Sequence, residues 1–213
     1  DGRAKENPWL QKNLSLKRCI APKQDMSEIV INEHLTFALR NHSHIWRVPI
    51  QLLEAIAQLD KKRYPVSASL AGGAFQKSYV NAMQSFCADH EIQDQITFYK
   101  QLTRDQLARF FRLHHAAVFP SIHPEAFGIV AVEAMASGLA LLSSGVGGAS
   151  EVFEANISGL QFEAGNAQEL AIQIKLLFEK PGLLRSLQEN GLSRARKLFD
   201  VQYSAQQIEA LLN

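Results

Sequence analysis

The chain of 213 residues alternates short apolar runs with longer segments in which apolar residues recur every three or four positions. Strands that alternate with helices in this way predict a parallel sheet covered on both faces. We therefore expect an α/β domain with a Rossmann-like, three-layer architecture and about six parallel strands. The predicted strands are Leu35–Leu39, Val66–Ala71, Ile96–Tyr99, Ala116–Phe119, Leu139–Leu142 and Leu160–Phe162.

The segments between these runs carry helical patterns. Apolar positions from Ile50 to Ala57 share one face, and Pro49 suits a first helical turn, where its missing N–H costs nothing. A short helix is predicted over Gln106–Leu113 and a longer one over Asn166–Phe178.

Capping signals mark several helix ends. Asn166 and Glu169 have the three-residue spacing of a capping box. Asn190-Gly191 is interpreted as a C-cap, and a last helix is predicted over residues 203–212. Residues 1–30 show no steady period, so we interpret them as an irregular N-terminal segment or the remnant of a linker, and residues 31–213 as one domain that includes the C-terminal helices.

Composition narrows the class of protein. Hydrophobic residues make up 46% and charged residues 20%, which is typical of a folded globular chain, and the formal net charge of +1 gives no support to a nucleic-acid partner. Cys19 and Cys87 are too few for a disulfide framework and favour a reducing cytosol. No apolar run approaches the ~20 residues of a membrane span, so no integral membrane segment is expected. A start at Asp1 suggests a piece of a longer protein.

Residues 117–151 concentrate the candidate chemistry. A predicted strand leads into a loop that carries Glu125, a helix begins near Gly128 and carries Glu133, and a second strand leads into a glycine-rich turn over 145–148. Both loops follow the carboxyl ends of predicted parallel strands, where open α/β sheets bind ligands. The start of the helix offers unpaired backbone N–H groups and a favourable dipole to an anion.

Glu125 and Glu133 are eight residues apart. With Glu125 in the loop and Glu133 further along the helix, both carboxylates can face one ligand. Glu133 has apolar neighbours, and a carboxylate in a mostly buried element needs a partner, which is either a ligand or a structural cation. Gly128 either admits a ligand to the backbone or only makes the turn, and the turn over 145–148 leaves the same two interpretations open.

Basic side chains follow the first predicted strand. Arg40 ends that strand and Arg47 precedes the next helix, so the pair either binds a diphosphate bidentately or is simply solvated. The histidines at 42, 44, 114, 115 and 123 lack metal-ligand spacing and are interpreted as structural or surface groups. No Walker loop or nucleophile elbow occurs, and the first strand is not followed by Gly-x-Gly-x-x-Gly, which argues against an NAD enzyme.

Three segments carry a resemblance to a known family. They are PSIHPEAFGIVAVEAMASG, GVGGASEV and GLQFEAGNAQELAIQI. They are similar to the C-terminal domain of the large retaining glycosyltransferase family with the GT-B fold, which includes glycogen synthases and sucrose synthases. The Glu-x7-Glu pattern of that family falls on Glu125 and Glu133. The resemblance covers the chain from about residue 35 to its end and is strongest over residues 116–165.

The resemblance implies that this domain binds a nucleotide-diphosphate-sugar donor, with no metal and no further cofactor. Glu125 would lie beside the transferred sugar, Glu133 would bind the ribose, and Arg40 and Arg47 would stabilise the leaving diphosphate. The other donor contacts would come from Tyr99, Lys100, Leu102, Ser121, Phe127, Gly128, Ile129, Gly147 and Gly148.

The resemblance also implies partners. The acceptor would be a sugar, a lipid or a small molecule, and a second Rossmann-like domain of the same protein, N-terminal to this chain, would close over the site, in the cytoplasm or at the inner face of the membrane. The chain departs from the family pattern at Leu39, Arg47 and Lys100, where glycine, lysine and glycine are usual, and at Leu139 in place of proline. These departures leave one alternative open, a non-catalytic binding or interaction domain that keeps the fold.

Overall fold

A sheet of six parallel strands forms the centre of the structure. The computed structural model describes residues 35–40, 48–72, 77–124, 126–200 and 209–210. The strands are β1 (Leu35–Arg40), β2 (Val66–Ala71), β3 (Ile96–Tyr99), β4 (Ala116–Phe119), β5 (Ala140–Ser143) and β6 (Gly159–Gln161). They pair in the order β3-β2-β1-β4-β5-β6, which is the order of the doubly wound nucleotide-binding fold. The predicted α/β class is confirmed, and each predicted strand is displaced by at most one residue at either end.

Helices cover both faces of the sheet, as the pattern predicted. Within the described residues they are α1 (Val48–Ala57), α2 (Lys77–Asp89), α3 (Arg104–Arg112), α4 (Ile129–Ala136), α5 (Ala149–Val152), α6 (Ala167–Glu179) and α7 (Leu183–Leu198), with a 3-10 turn at Gln93–Gln95. Successive strand residues serve opposite faces. Phe37 packs with α1, α2 and α6 on one face, whereas the next residue, Ala38, packs with α3 and α4 on the other.

The capping box predicted at one helix is incomplete in the structure, and a complete one forms at another helix. The side chain of Asn166 accepts a hydrogen bond from the N–H of Glu169 at 2.9 Å, as predicted, but the Glu169 carboxylate accepts from the N–H of Glu163 and the box is incomplete. A complete box forms instead between Thr103 and Gln106. It starts α3 at Arg104, two residues earlier than predicted.

The prediction that Asn190-Gly191 ends a helix is wrong, because α7 continues through both residues to Leu198. A Cβ at Gly191 would lie 3.3 Å from the Ser158 carbonyl oxygen and 3.5 Å from Cγ of Met135. Glycine is therefore used here for close packing of α7 on α4, not for a left-handed turn. The Asn190 side chain donates to the Ile157 carbonyl at 3.0 Å and strengthens the same contact.

Some predictions reach beyond the described residues. Residues 1–30 lie outside them, as does most of the helix predicted over 203–212, of which residues 209 and 210 are described and helical.

Cys87 is buried, and burial raises the pKa of its thiol to about 11, so it stays protonated at neutral pH. In the part of the chain that the structure describes, the helices are too short or too polar to span a bilayer.

His114 is half-buried between the end of α3 and the start of β4. Its Nδ1 lies 2.7 Å from the Phe110 carbonyl oxygen. Because a carbonyl can only accept, Nδ1 carries the proton of the neutral ring. Burial lowers the pKa of His114 to about 4, the hydrogen bond to Phe110 opposes this, and the nearby His115 lowers it further.

Gly191→Val should destabilise the protein by about 1–3 kcal/mol, because the added side chain overpacks the contact between α7 and α4. Ser193→Val is the matched control, since Ser193 is exposed on the same helix. Urea unfolding of both variants measures the difference. Equal midpoints for the two variants would show that α7 does not pack closely at Gly191.

His114→Gln should flatten the acid side of the stability profile. As pH falls from about 6.5 to about 4, the unfolded wild-type chain binds a proton at His114 that the folded chain excludes. Wild type should therefore lose on the order of 1–3 kcal/mol of unfolding free energy relative to the variant across that window. Parallel denaturant titrations isolate His114, because the two proteins share every other titrating group. Profiles of unfolding free energy against pH that run parallel for the two proteins would contradict a lowered pKa of His114 in the folded chain.

Candidate functional site

The strand order reverses between β1 and β4 in the centre of the sheet, and a doubly wound sheet has a crevice at the carboxyl ends of the strands there. The two strands pair through Phe37 and Ala38 of β1. Each strand then continues for two residues, to Arg40 and to Phe119. The hydrogen-bonded ladder thus ends before the strands do. In doubly wound sheets this carboxyl-end crevice is where ligands bind.

The helix α4 begins beside this crevice, where the sequence predicted it. Its N-cap is Gly128, which is buried, has φ 87° and provides no side-chain cap. Ile129, the first helical residue, is 64% exposed. The N–H groups of Ile129 and Val130 have no acceptor within the helix, as the geometry of an α-helix requires. This helix start can therefore donate hydrogen bonds to an anion.

Glu133 lies one turn further along α4. It shares a helix face with the exposed Ile129, four residues earlier, and is half-buried. The expectation of a mostly buried element is thus met only in part, because α4 turns Ala131, Ala134 and Met135 into the core and leaves Glu133 at the boundary. A carboxylate at this position can be reached by a ligand bound at the helix start.

The glycine-rich turn after β5 packs under the loop that precedes α4. Gly145 and Gly147 have φ values of 64° and 68°. Gly148 has an ordinary φ of −59°, yet a Cβ there would lie 2.2 Å from the Ala126 carbonyl oxygen. The absence of a side chain at Gly148 is therefore explained by packing of the protein against itself. The short helix α5, which the sequence did not predict, begins at the next residue.

The model of the family described as glycosyl transferases group 1 matches residues 46–194. The chain belongs to this family. A D-inositol 3-phosphate glycosyltransferase from Pseudarthrobacter chlorophenolicus is 31% identical over 151 residues, which cover 70% of this chain and 35% of the relative. The chain thus spans about a third of the length of that relative.

Two solved structures are similar to this group 1 glycosyltransferase chain, one of them a longer chain and the other a separate C-terminal domain. HepE from Anabaena, in complex with UDP and glucose, matches with a TM-score of 0.75 and 25% identity over 84% of this chain and 48% of HepE. The C-terminal domain of the group 1 protein LpcC from Francisella tularensis matches with a TM-score of 0.69 and 21% identity, over 79% of this chain and 87% of that domain. These likenesses confirm the predicted GT-B fold.

The predicted contacts at the end of β3 lie three strands away from β4, beside an apolar cluster that also contains residues of α4. Tyr99 is half-buried and meets Phe110 edge-on, with ring centroids 5.3 Å apart. Lys100 is exposed, and Leu102 packs in the same cluster as Tyr99. Three strand spacings, about 14 Å, separate β3 from β4. Only an extended ligand can reach both from the carboxyl edge of the sheet.

The remaining predicted residues of this glycosyltransferase domain divide into those that the structure describes and those that it does not. Ser121 is buried at 5% exposure, and its Oγ donates to the His123 carbonyl at 3.1 Å. Phe127 is 39% exposed beside the start of α4 and meets Phe199 edge-on. Arg40 is placed by its backbone at the end of β1. Glu125 and Arg47 lie outside the described residues, so their roles stay predictions.

Electrostatic features of the site are few in the described ranges. Across 35–40, 48–72, 77–124, 126–200 and 209–210, no group of three or more His, Cys, Asp or Glu residues is arranged to hold a metal ion.

The sequence analysis did not single out Ser143 and Ser144, which are buried at the end of β5. Their only signal was two hydroxyls in place of apolar residues at the end of a predicted buried strand.

Gly148→Ala should destabilise the domain by about 3 kcal/mol or more, because the new Cβ collides with the Ala126 backbone, which cannot move without displacing the start of α4. Gly138→Ala is the control, since Gly138 has φ 83° but no atom near its missing Cβ. That control should cost only about 1 kcal/mol of backbone strain. Thermal and urea unfolding measure both. A smaller loss for Gly148→Ala than for Gly138→Ala would contradict the contact.

Proposed function

We propose that this chain is the donor-binding domain of a retaining glycosyltransferase. It binds a nucleotide-diphosphate-sugar at the crevice between β1 and β4 and presents the sugar to an acceptor held by a second domain. The observation that carries the proposal is the open start of α4 at the carboxyl edge of the sheet, with Glu133 on the face below it.

The diphosphate is bound by the start of α4. The N–H groups of Ile129 and Val130 and the helix dipole together favour a group with negative charge. Gly128 adds no side chain that could shield them. Arg40, placed by its backbone at the end of β1, stands on the opposite side of the crevice. In the proposal, the backbone N–H groups of α4 and the Arg40 side chain both bind the diphosphate.

The rest of the donor extends along the edge of the sheet. Glu133 accepts hydrogen bonds from the ribose hydroxyls, and Glu125 lies beside the sugar. The base lies toward Tyr99 and Leu102, about three strand spacings from β4. An elongated nucleotide-sugar suits this arrangement of separated contacts better than a compact metabolite does. The likeness to HepE, which is solved with UDP and glucose, supports this class of ligand.

Catalysis by this domain consists of stabilising the leaving group. The bond between the anomeric carbon and the diphosphate oxygen breaks while the acceptor hydroxyl oxygen attacks from the same face and its proton passes to the departing diphosphate oxygen, so the configuration is retained. Negative charge grows on the departing diphosphate as the bond breaks. Fixed N–H groups and the cations Arg40 and Arg47 stabilise that charge more in the transition state than in the ground state.

Wild-type chain should bind UDP, and Glu133→Gln should weaken that binding about 10- to 100-fold, the loss expected for one hydrogen bond to a charged acceptor. Glu189→Gln is the matched control, because Glu189 is a helical glutamate that pairs with Arg185 on α7. Isothermal titration calorimetry with UDP, GDP and ADP measures affinity and identifies the preferred base.

The same titrations separate the proposal from its alternative. A wild-type chain that binds none of the three nucleotides at millimolar concentration contradicts donor binding and supports a non-catalytic domain that keeps the fold. Binding that Glu133→Gln leaves unchanged removes Glu133 from the site.

A further inference from the structure

Hydroxyl groups fasten the end of β4 to the end of β5. The N–H of Ser144 donates to the Phe119 carbonyl at 3.2 Å, and its Oγ donates to the Ser121 carbonyl at 2.6 Å. Ser144 is 4% exposed and Ser121 is 5% exposed. The Oγ of Ser121 in turn donates to the His123 carbonyl at 3.1 Å. We call Ser144 and Ser121 the serine clasp.

The clasp acts on one side of β4 only. Backbone pairing of β4 with β5 continues to Phe119, and Ser144 extends it by hydrogen bonds from its N–H and its Oγ. Pairing of β4 with β1 ends two residues earlier, at Ala117. Among the described residues, the end of β4 is therefore bonded to β5 beyond the point where its pairing with β1 ends.

The same strand end also fixes the glycine-rich turn. The Oγ of Ser143 accepts a hydrogen bond from the N–H of Gly145 at 3.1 Å. Ser143 has no exposed surface. Two adjacent buried hydroxyls thus point their hydrogen bonds at the two loops that meet under α4. A buried hydroxyl is costly unless it is bonded, and an apolar residue would fill these positions without that requirement.

We propose that Ser144 is a positioning residue for the donor site. Through the Ser121 carbonyl it sets the positions of residues 121–124 and 126–128, and with them the distance between the start of α4 and β1. The inference rests on the proposed function, because it assigns Ser144 to the site where the diphosphate is bound.

The test compares Ser144→Ala with Ser158→Ala in the full chain. Ser158 is 2% exposed and its Oγ also bonds the backbone, accepting from the N–H of Glu154 at 2.8 Å, but it lies before β6 at the opposite edge of the sheet. Each variant therefore removes the side-chain hydroxyl of a buried serine that bonds to the backbone. Ser144→Thr keeps the hydroxyl and serves as the rescue variant.

Two readouts distinguish positioning from stability. Ser144→Ala should weaken UDP affinity at least fivefold by calorimetry and raise amide hydrogen exchange in residues 121–128. Ser158→Ala should leave both unchanged, and Ser144→Thr should restore affinity to within about twofold of wild type. Each variant is first checked by its thermal unfolding midpoint.

The outcomes are separable. If Ser144→Ala and Ser158→Ala change affinity and exchange equally, Ser144 has only a structural role and the inference is overturned. A wild-type chain that binds no UDP overturns the proposed function. The exchange measurement needs no ligand, so it tests the inference even when the wild-type chain binds no UDP. Exchange in residues 121–128 that Ser144→Ala leaves unchanged would show that Ser144 does not position this segment.

Discussion

Two segments of backbone touch with no side chain between them, and the geometry of the site depends on that contact. The Ala126 carbonyl lies over the Cα of Gly148, and the Cα of Gly128 lies against Ala149. Gly148 is required by its neighbour across the contact, whereas Gly128 is favoured mainly by its positive φ. The contact fixes where α4 begins, and hence where the N–H groups of its first turn point.

Several elements with different roles converge on this contact. The strand order places the crevice between β1 and β4, and the early end of the ladder between them opens it. The hydrogen bonds of Ser144 hold β4 on the other side.

At the opposite end of the sheet, where the strands begin, the described contacts stabilise the packing of the helices. There α7 is tied to the loops by side-chain hydrogen bonds, from Gln188 to the His115 carbonyl at 2.7 Å and from Asn190 to the Ile157 carbonyl at 3.0 Å. His114 is kept neutral in the same region by burial, which lowers its pKa. The division is physical, because parallel strands bring all their carboxyl ends to one edge and leave the other edge free for packing.

The sequence by itself determined the strands, the parallel α/β class and the start of α4, because each depends on a local pattern of apolar residues or on a nearby glycine. It misread Gly191, since Asn-Gly marks a C-cap locally while the packing of α7 against Ser158 and Met135 is non-local. Only the tertiary structure decided the role of Gly148 and Ser144. Their partners, Ala126 and Ser121, stand more than twenty residues away, and no local period records a contact between two backbones that the fold brings together.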